Sequence, residues 1–367
     1  MKRHMCSVVL ALVAYICSFI GPVTAYACTG ILGRAEDGSC VFARTLEFGT
    51  DFVSYDLIIV PREYAYRGQT PSGEPGLAWK TEYAHVGFNP FGQPLVGDGI
   101  NEKGLACGAF FFPGYAGYQD VQEEDLSEAI SCLDLVSWIL GTCANVADVR
   151  ERLPGIKVTG VKIPEWGFVP PLHYMVADST GDAAIIEYVG GQLNIHDNEV
   201  NVITNSPDYV WHTTNLRNYI GLRPGNDPSV KINTLELEQF GQGTGAIGLP
   251  GDFSSPSRFV RAVFFTSTAC PGKDADEEVG NAFRILNQFD IPKGSVRGEE
   301  AGKKMYDTTQ WTSAADLSGL RYFYHTYNDR SVRVVDMKEL DLNAKDIKTI
   351  KDVQEPGSAR DVSHKFK

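Results

Sequence analysis

AYACTGILGRAEDGSCVFARTLEFG, residues 25–49, is the stretch from which the remainder of the chain is best read. Thr29–Gly33 and Cys40–Thr45 are two short β-prone runs separated by Glu36-Asp37-Gly38-Ser39, a turn composition. That pattern predicts an antiparallel hairpin. Folding the second strand back carries Arg44 and Glu47 toward the start of the first strand, where Cys28 stands. A guanidinium beside a thiol favours the thiolate, and a carboxylate beside an amine can hold and orient it. Taken alone, Arg44 and Glu47 also read as a solvated ion pair at a strand end.

Upstream, residues 1–27 have the layout of a cleaved export signal. Lys2 and Arg3 form a positive start, Val8–Ile20 is apolar, Gly21-Pro22 breaks the helix, and Ala25-Tyr26-Ala27 is a small-x-small cleavage site. The apolar run falls short of the roughly 20 residues that span a bilayer. Cleavage after Ala27 leaves Cys28 with a free α-amine. Such an amine has a pKa of about 7.7–8.0 and a thiol about 8.5, so proton transfer between them is nearly isoenergetic at neutral pH. The thiolate is then the nucleophile, and the amine can return the proton to a leaving amine. Two other readings stay open at this point. Cys28 is a disulfide half, or it is the acylated cysteine of a lipoprotein, which Ala27 suits better than Tyr26 and Ala25 do. The expected location is periplasmic or secreted. After removal of Cys6 and Cys17, the cysteines at 28, 40, 107, 132, 143 and 270 remain. Their number permits disulfides without revealing a connectivity.

Composition narrows the function classes. Of 367 residues, 43% are hydrophobic and 22% charged. That excludes a disordered, collagenous or polytopic membrane chain. Lys and Arg number 33 against 46 Asp and Glu, a net charge of −13. Losing the leader removes Lys2 and Arg3 and no acid. With no basic run to contact phosphates, nucleic acid is excluded as a partner. There is no C-x-x-C pair and no H-E-x-x-H, so a structural zinc or zincin centre has no support. Gly241–Gly245 lacks the Gly-Lys-Ser/Thr ending of a phosphate loop and reads as a turn. No metal or organic cofactor is expected.

Several separated motifs carry a resemblance. They are Cys28-Thr29-Gly30, Arg44-Thr45-Leu46-Glu47, the segment Asp98–Leu105, and Thr204-Asn205-Ser206-Pro207. Gly241–Gly245, Leu249–Phe253 and Ser257-Arg258-Phe259 complete the set. Together they resemble the choloylglycine hydrolase family, the bile salt hydrolases and penicillin V acylases, which are N-terminal-nucleophile hydrolases. The resemblance implies an α+β fold, a four-layer αββα sandwich. It implies hydrolysis of a linear amide through a thioester on Cys28, with Arg44 and Glu47 as the Arg-x-x-Asp element and Arg258 as a second site arginine. It also implies an oxyanion hole from the Asn205 side chain and the backbone N–H of Phe111. Substrates would be small N-acyl amides: conjugated bile salts, penicillin V-like compounds, N-acyl amino acids or lactones. Taken alone, Asn205 also reads as an Asx-turn residue before Pro207.

Two positions depart from the family pattern. Glu47 stands where Asp is usual, one methylene longer, and Phe111 where Asn or Tyr is usual. They motivate an alternative reading, a catalytically weak exported binding protein of the same fold. Residues 209–247 resemble the arm that interlocks subunits in the family's tetramers, and otherwise read as a long surface insertion.

The remaining pattern fits a single domain over 28–367. Strands are predicted at 53–60 and 78–88 around a polar loop at 66–77, and helices at Leu126–Leu140, ended by Gly141, and at 145–153. His173–Asp178, Ala183–Val189, Leu193–His196 and Val200–Thr204 are β segments. A helix capped by Ser255, with Pro256 at its first position, carries Arg258 in its first turn. Asp276–Phe289 reads as helix, Tyr322–Tyr327 with Val332–Asp336 as a hairpin, and the tail beyond about 354 as frayed. Phe48, Phe52, Phe110 and the 88–95 loop are candidate walls of an apolar acyl pocket, although aromatics in such positions are often plain core.

Overall fold

The computed structural model describes residues 27–49, 55–90, 92–164, 166–300, 303–351, 353 and 355–358. The leader up to Tyr26, Phe52 and the last nine residues lie outside them. Two antiparallel sheets form the centre. The first runs Val202–Ile203, Cys28–Arg34, Cys40–Gly49, Lys303–Asp316, Arg321–Thr326, Arg333–Asp336, with Val296–Glu300 also pairing to the long Lys303–Asp316 strand. The second runs Gln192–Asp197, Ala183–Val189, Leu172–Ala177, Ala106–Phe111, Asp98–Asn101, His85–Asn89, Asp56–Val60, Lys348–Ile350. Helices Ser255–Thr268 and Ala275–Leu286 pack on the first sheet, and helix Leu135–Thr142 packs on the second. The sheets meet where Cys28–Arg34 and Cys40–Gly49 touch Ala106–Phe111. Helix, sheet, sheet and helix stack as the expected αββα sandwich.

The N-terminal hairpin forms with Cys28 opposite Leu46, Thr29 opposite Thr45 and Gly30 opposite Arg44. Its turn uses Gly38 at φ 92°, a left-handed conformation that costs glycine nothing. Gly30 has a different reason. A Cβ there would stand 2.5 Å from the Phe110 ring and 2.7 Å from Ile203, so only glycine lets the two sheets approach at this point. Period-two alternation then sorts the second strand. Arg44, Leu46 and Phe48 share the Cys28 face between the sheets, while Thr45 and Glu47 share the opposite face, toward the helices.

Three sequence expectations are corrected. The helix predicted from Leu126 starts only at Leu135, preceded by a 3-10 turn Glu123–Glu128 and a strand Ala129–Ser131. The buried Asp134 carboxylate accepts the Ser131 and Gln69 N–H groups (2.8 and 3.0 Å), and Ala129–Ser131 pairs in parallel with Lys157–Thr159. Helical spacing of apolar residues therefore continued through a segment whose backbone is used elsewhere. The 78–88 strand is two strands, Ala78–Lys80 and His85–Asn89, the first paired with Ala65–Arg67 inside the expected loop. The Ser255–Thr268 helix is capped at Ser254 rather than Ser255, which places Pro256 second. The predicted helix at 145–153, the β segments from 173 to 204 and the late hairpin form within a residue or two of their expected limits.

Candidate active site

Cys28 is buried at the meeting line of the sheets and lines a cleft of about 510 Å³ with Arg44, Leu46, Phe48, Phe111 and Trp166. It is a free thiol, as are the other five cysteines beyond the leader, so the disulfide reading of Cys28 is set aside. Burial pushes its thiol up, while the Arg44 and Arg258 charges pull the other way. In this chain Cys28 still follows Ala27, and its nitrogen is an amide. That N–H donates to Asn205 Oδ1 at 2.9 Å, and Glu47 N donates to the Ala27 carbonyl at 2.9 Å.

Arg44 is wholly buried on the cleft face. Nη1 donates to the Ala109 carbonyl (2.9 Å), and the guanidinium lies 4.6 Å over the Phe110 ring. Behind it stands Asp98, 3.7 Å from Nη1. Asp98 also accepts from Trp311 Nε1, Ser313 Oγ and Tyr322 OH at 3.0, 2.7 and 2.6 Å. A buried guanidinium needs a paired, fully hydrogen-bonded counter-charge, and Asp98 is one. Phe110, expected in the acyl pocket, is instead the ring beneath Arg44 and outside the cleft lining. Successive residues of its strand face opposite ways, so Phe111 takes the cleft and Phe110 the interior.

Arg258 reaches in from the helix layer. Nε donates to the Phe253 carbonyl (2.9 Å), and Nη1 to Thr29 Oγ1 (2.9 Å) and the Cys28 carbonyl. Nη2 donates to Asn205 Oδ1. With Oδ1 occupied by Arg258 and Cys28 N–H, the amide orientation of Asn205 is fixed, and Nδ2 donates to the Phe111 carbonyl at 2.6 Å. The loop itself is tied down at three backbone groups around Asn205. Its N–H donates to Ser255 Oγ (3.0 Å), and its carbonyl faces His212 Nε2 (2.9 Å). The preceding Thr204 carbonyl faces His173 Nε2 at 3.1 Å.

Glu47 is buried on the helix face, and neither carboxylate oxygen has a hydrogen-bond partner among the described residues. Burial, offset only in part by Arg258 and Thr45, pushes its carboxyl up to about 8. The structure thus brings Cys28, Arg44, Glu47, Phe111, Asn205 and Arg258 into one place, from sequence positions as far apart as 28 and 258. Phe48 lines the cleft as expected, its ring 5.1 Å from Trp166. Of the 88–95 loop, Pro90 lines it too. Trp166, Leu172, His173 and His212 escaped the sequence reading. The turn after His173–Asp178 marks it as a strand, but nothing local places it between Ala183–Val189 and Ala106–Phe111.

Comparison with known proteins settles the class. The family described as linear amide C–N hydrolases, choloylglycine hydrolase family, matches residues 28–350. The chain belongs to the choloylglycine hydrolase family. It is 33% identical over 326 residues to a bile salt hydrolase/transferase of Clostridium perfringens, covering 88% of this chain and 96% of that one. A penicillin V acylase of Pectobacterium atrosepticum is 26% identical, covering 92% of this chain and 87% of its own. The crystal structure of a variant of the conjugated bile acid hydrolase from Clostridium perfringens superposes with a TM-score of 0.79 at 31% identity, over 90% of this chain and 99% of that one. This choloylglycine hydrolase family member is therefore a linear amide C–N hydrolase with the αββα fold its sequence resemblance implied.

Proposed function

We propose that the chain, once cleaved after Ala27, hydrolyses a small N-acyl amide through a thioester on Cys28. The observation that carries this is the Cys28 nitrogen itself: it lies 2.9 Å from Asn205 Oδ1, beside a thiol that faces an apolar cleft. The freed α-amine takes the thiol proton and Sγ attacks the amide carbonyl carbon. The carbonyl oxygen becomes an oxyanion. An amide NH₂ carries two hydrogens, so Asn205 Nδ2 retains one donor beyond its bond to Phe111, and the Phe111 backbone N–H is the second donor in this reading. The tetrahedral adduct collapses, the C–N bond breaks, and the amine leaves with the proton carried by the α-amine. Water then attacks the thioester, releasing the acid and restoring the thiol. No cofactor enters any step.

Apolar walls around Leu46, Phe48, Phe111 and Trp166 suit the acyl half of such a substrate. Conjugated bile salts and penicillin V are the first compounds to test, because the named relatives are a bile salt hydrolase/transferase and a penicillin V acylase. The family match begins at residue 28, which suits cleavage after Ala27. The test is a panel of glycocholate, taurocholate, penicillin V and acyl-homoserine lactones, on protein of verified mass. Turnover of at least one is expected. A correctly processed protein inert to all would return the binding-protein reading.

Glu47 gives a further expected result. In the uncleaved chain its carboxyl is raised from about 4.5 to about 8, so the folded state holds a proton that the unfolded state has released. Stability therefore falls as pH rises across that window. Glu47→Gln should stabilise the uncleaved chain increasingly between pH 4.5 and 8, by on the order of 4 kcal/mol at the upper end, and be neutral below it. In the mature chain a neighbouring α-ammonium would lower that carboxyl, and the gain should shrink. Thermal melts of both forms across pH decide it. An equal gain in both forms would remove Glu47 from the amine's surroundings.

We also propose that residues 209–247 join subunits into a homotetramer. A hairpin of Val230–Ile232 and Leu235–Leu237 stands with all six residues exposed, next to a fully exposed Phe240. Isolated surface apolar residues are ordinary, but a contiguous set on a projecting arm marks an interface. Leu235→Asp with Phe240→Asp should convert the assembly to smaller species in analytical ultracentrifugation without unfolding the subunit. An unchanged sedimentation profile would leave the arm as a surface insertion.

A further inference from the structure

Behind the Asn205 loop lies a second buried polar group that the proposed mechanism does not use. His173, on the strand Leu172–Ala177, presents Nδ1 to Glu187 Oε1 at 3.2 Å and Nε2 to the Thr204 carbonyl at 3.1 Å. Both ring nitrogens face acceptors. A neutral imidazole has one N–H and satisfies only one of them; the imidazolium donates to both. Phe112 lies flat on the ring, 4.2 Å away and 3° from parallel, a face that suits a cation. Glu187 is buried and accepts from Tyr209 N–H as well (3.0 Å), with His196 Nε2 3.6 Å from its other oxygen. Burial raises the Glu187 carboxyl, but the two histidines outweigh it and hold it down at about 2, so it does not supply a proton to His173. The charged and titratable groups around the ring are Glu187 and His196 on the sheet side, His212 on the helix that follows the loop, and Arg258 beyond it. His212 is itself pushed down to about 4 by burial, and its Nε2 donates to the Asn205 carbonyl while Nδ1 has no partner among the described residues. Among the described residues no group of His, Cys, Asp and Glu is arranged to hold a metal ion, so the cluster is not a metal site.

We propose that His173 is a positioning residue. Braced by Glu187 at Nδ1, its ring holds the Thr204 carbonyl at Nε2 and, through that peptide unit, sets where the Asn205 amide stands against the reacting carbonyl. The same peptide's N–H is held from the other side by Ser255 Oγ, so His173 and Ser255 fix its plane as a pair. The inference rests on the reading of Asn205 as the oxyanion donor.

The test uses His173→Leu and His173→Gln in the mature, full-length protein, with C28S and N205A alongside. Leucine removes both hydrogen bonds. Glutamine keeps an amide N–H that can donate toward the Thr204 carbonyl. His173→Leu should lower kcat by about 100-fold with KM and the alkylation rate of Cys28 held within about threefold, since misplacement alone has effects of that size. His173→Gln should recover to within about tenfold of wild type. A His173→Leu kcat within about threefold of wild type, or a His173→Gln kcat as low as that of the leucine variant, overturns the proposal. If His173→Leu does not accumulate folded, His173→Gln decides alone: a kcat loss of about 100-fold overturns it. Activity within about tenfold of wild type in C28S or N205A would instead overturn the reading on which it rests.

Discussion

Cys28→Ser should lower kcat/KM by roughly 10⁴-fold, with its melting temperature close to wild type. The substitution exchanges one buried atom, and no described partner of the Cys28 side chain depends on sulfur. What changes is acidity. A thiol lies within about one pKa unit of an α-amine, whereas an alcohol is far weaker, so the only base proposed at the site can no longer take the proton. Arg44 and Arg258 support the thiolate against the desolvation that pushes it up, and neither can rescue a hydroxyl. Mature protein bearing one extra residue before Cys28 should fail as completely, although its thiol still reacts with iodoacetamide. Activity within about tenfold of wild type in either protein would show that another nucleophile or base operates.

Asn205→Ala should cost about 10²–10³ in kcat with little change in KM, the size expected for one oxyanion donor. Alanine also strands Arg258 Nη2 and the Cys28 nitrogen, which share Oδ1 as acceptor, so lost activity alone would be ambiguous. Asn205→Asp separates the two roles. It keeps an acceptor for Arg258 and Cys28 and replaces the Nδ2 donor with a second oxygen. If the donor matters, the aspartate variant falls as far as alanine while melting at or above the alanine variant's temperature. If Asn205 only braces Arg258, the aspartate variant stays near wild-type kcat.

Much of this was legible in the sequence because it depends on near neighbours. The hairpin that brings Arg44 and Glu47 to Cys28 follows from two β-prone runs and a Gly38 turn, and strand pairing then sets the alternation that separates Arg44 from Glu47. The helix bearing Arg258 was readable from Pro256 and its apolar stripe, with its cap misplaced by one residue because Ser254 and Ser255 are equally good candidates. What failed depended on distant chain. The Leu126–Leu140 helix lost its first part, before Leu135, to hydrogen bonds from Gln69 and a parallel partner at Lys157–Thr159. Phe110 was misassigned because which face of its strand meets the cleft depends on the opposite sheet, where Gly30 lets its ring slide beneath Arg44. Trp166 and His173 reach the site from elements whose positions only the assembled sandwich specifies.

All of the chemistry assigned to Cys28 requires that its nitrogen be an amine. Intact-mass and N-terminal sequencing of the exported protein measure that directly. The account predicts a chain starting at Cys28, with no acyl group and a terminus open to amine-reactive label. A chain that begins at any other residue, or whose Cys28 carries a lipid, contradicts it.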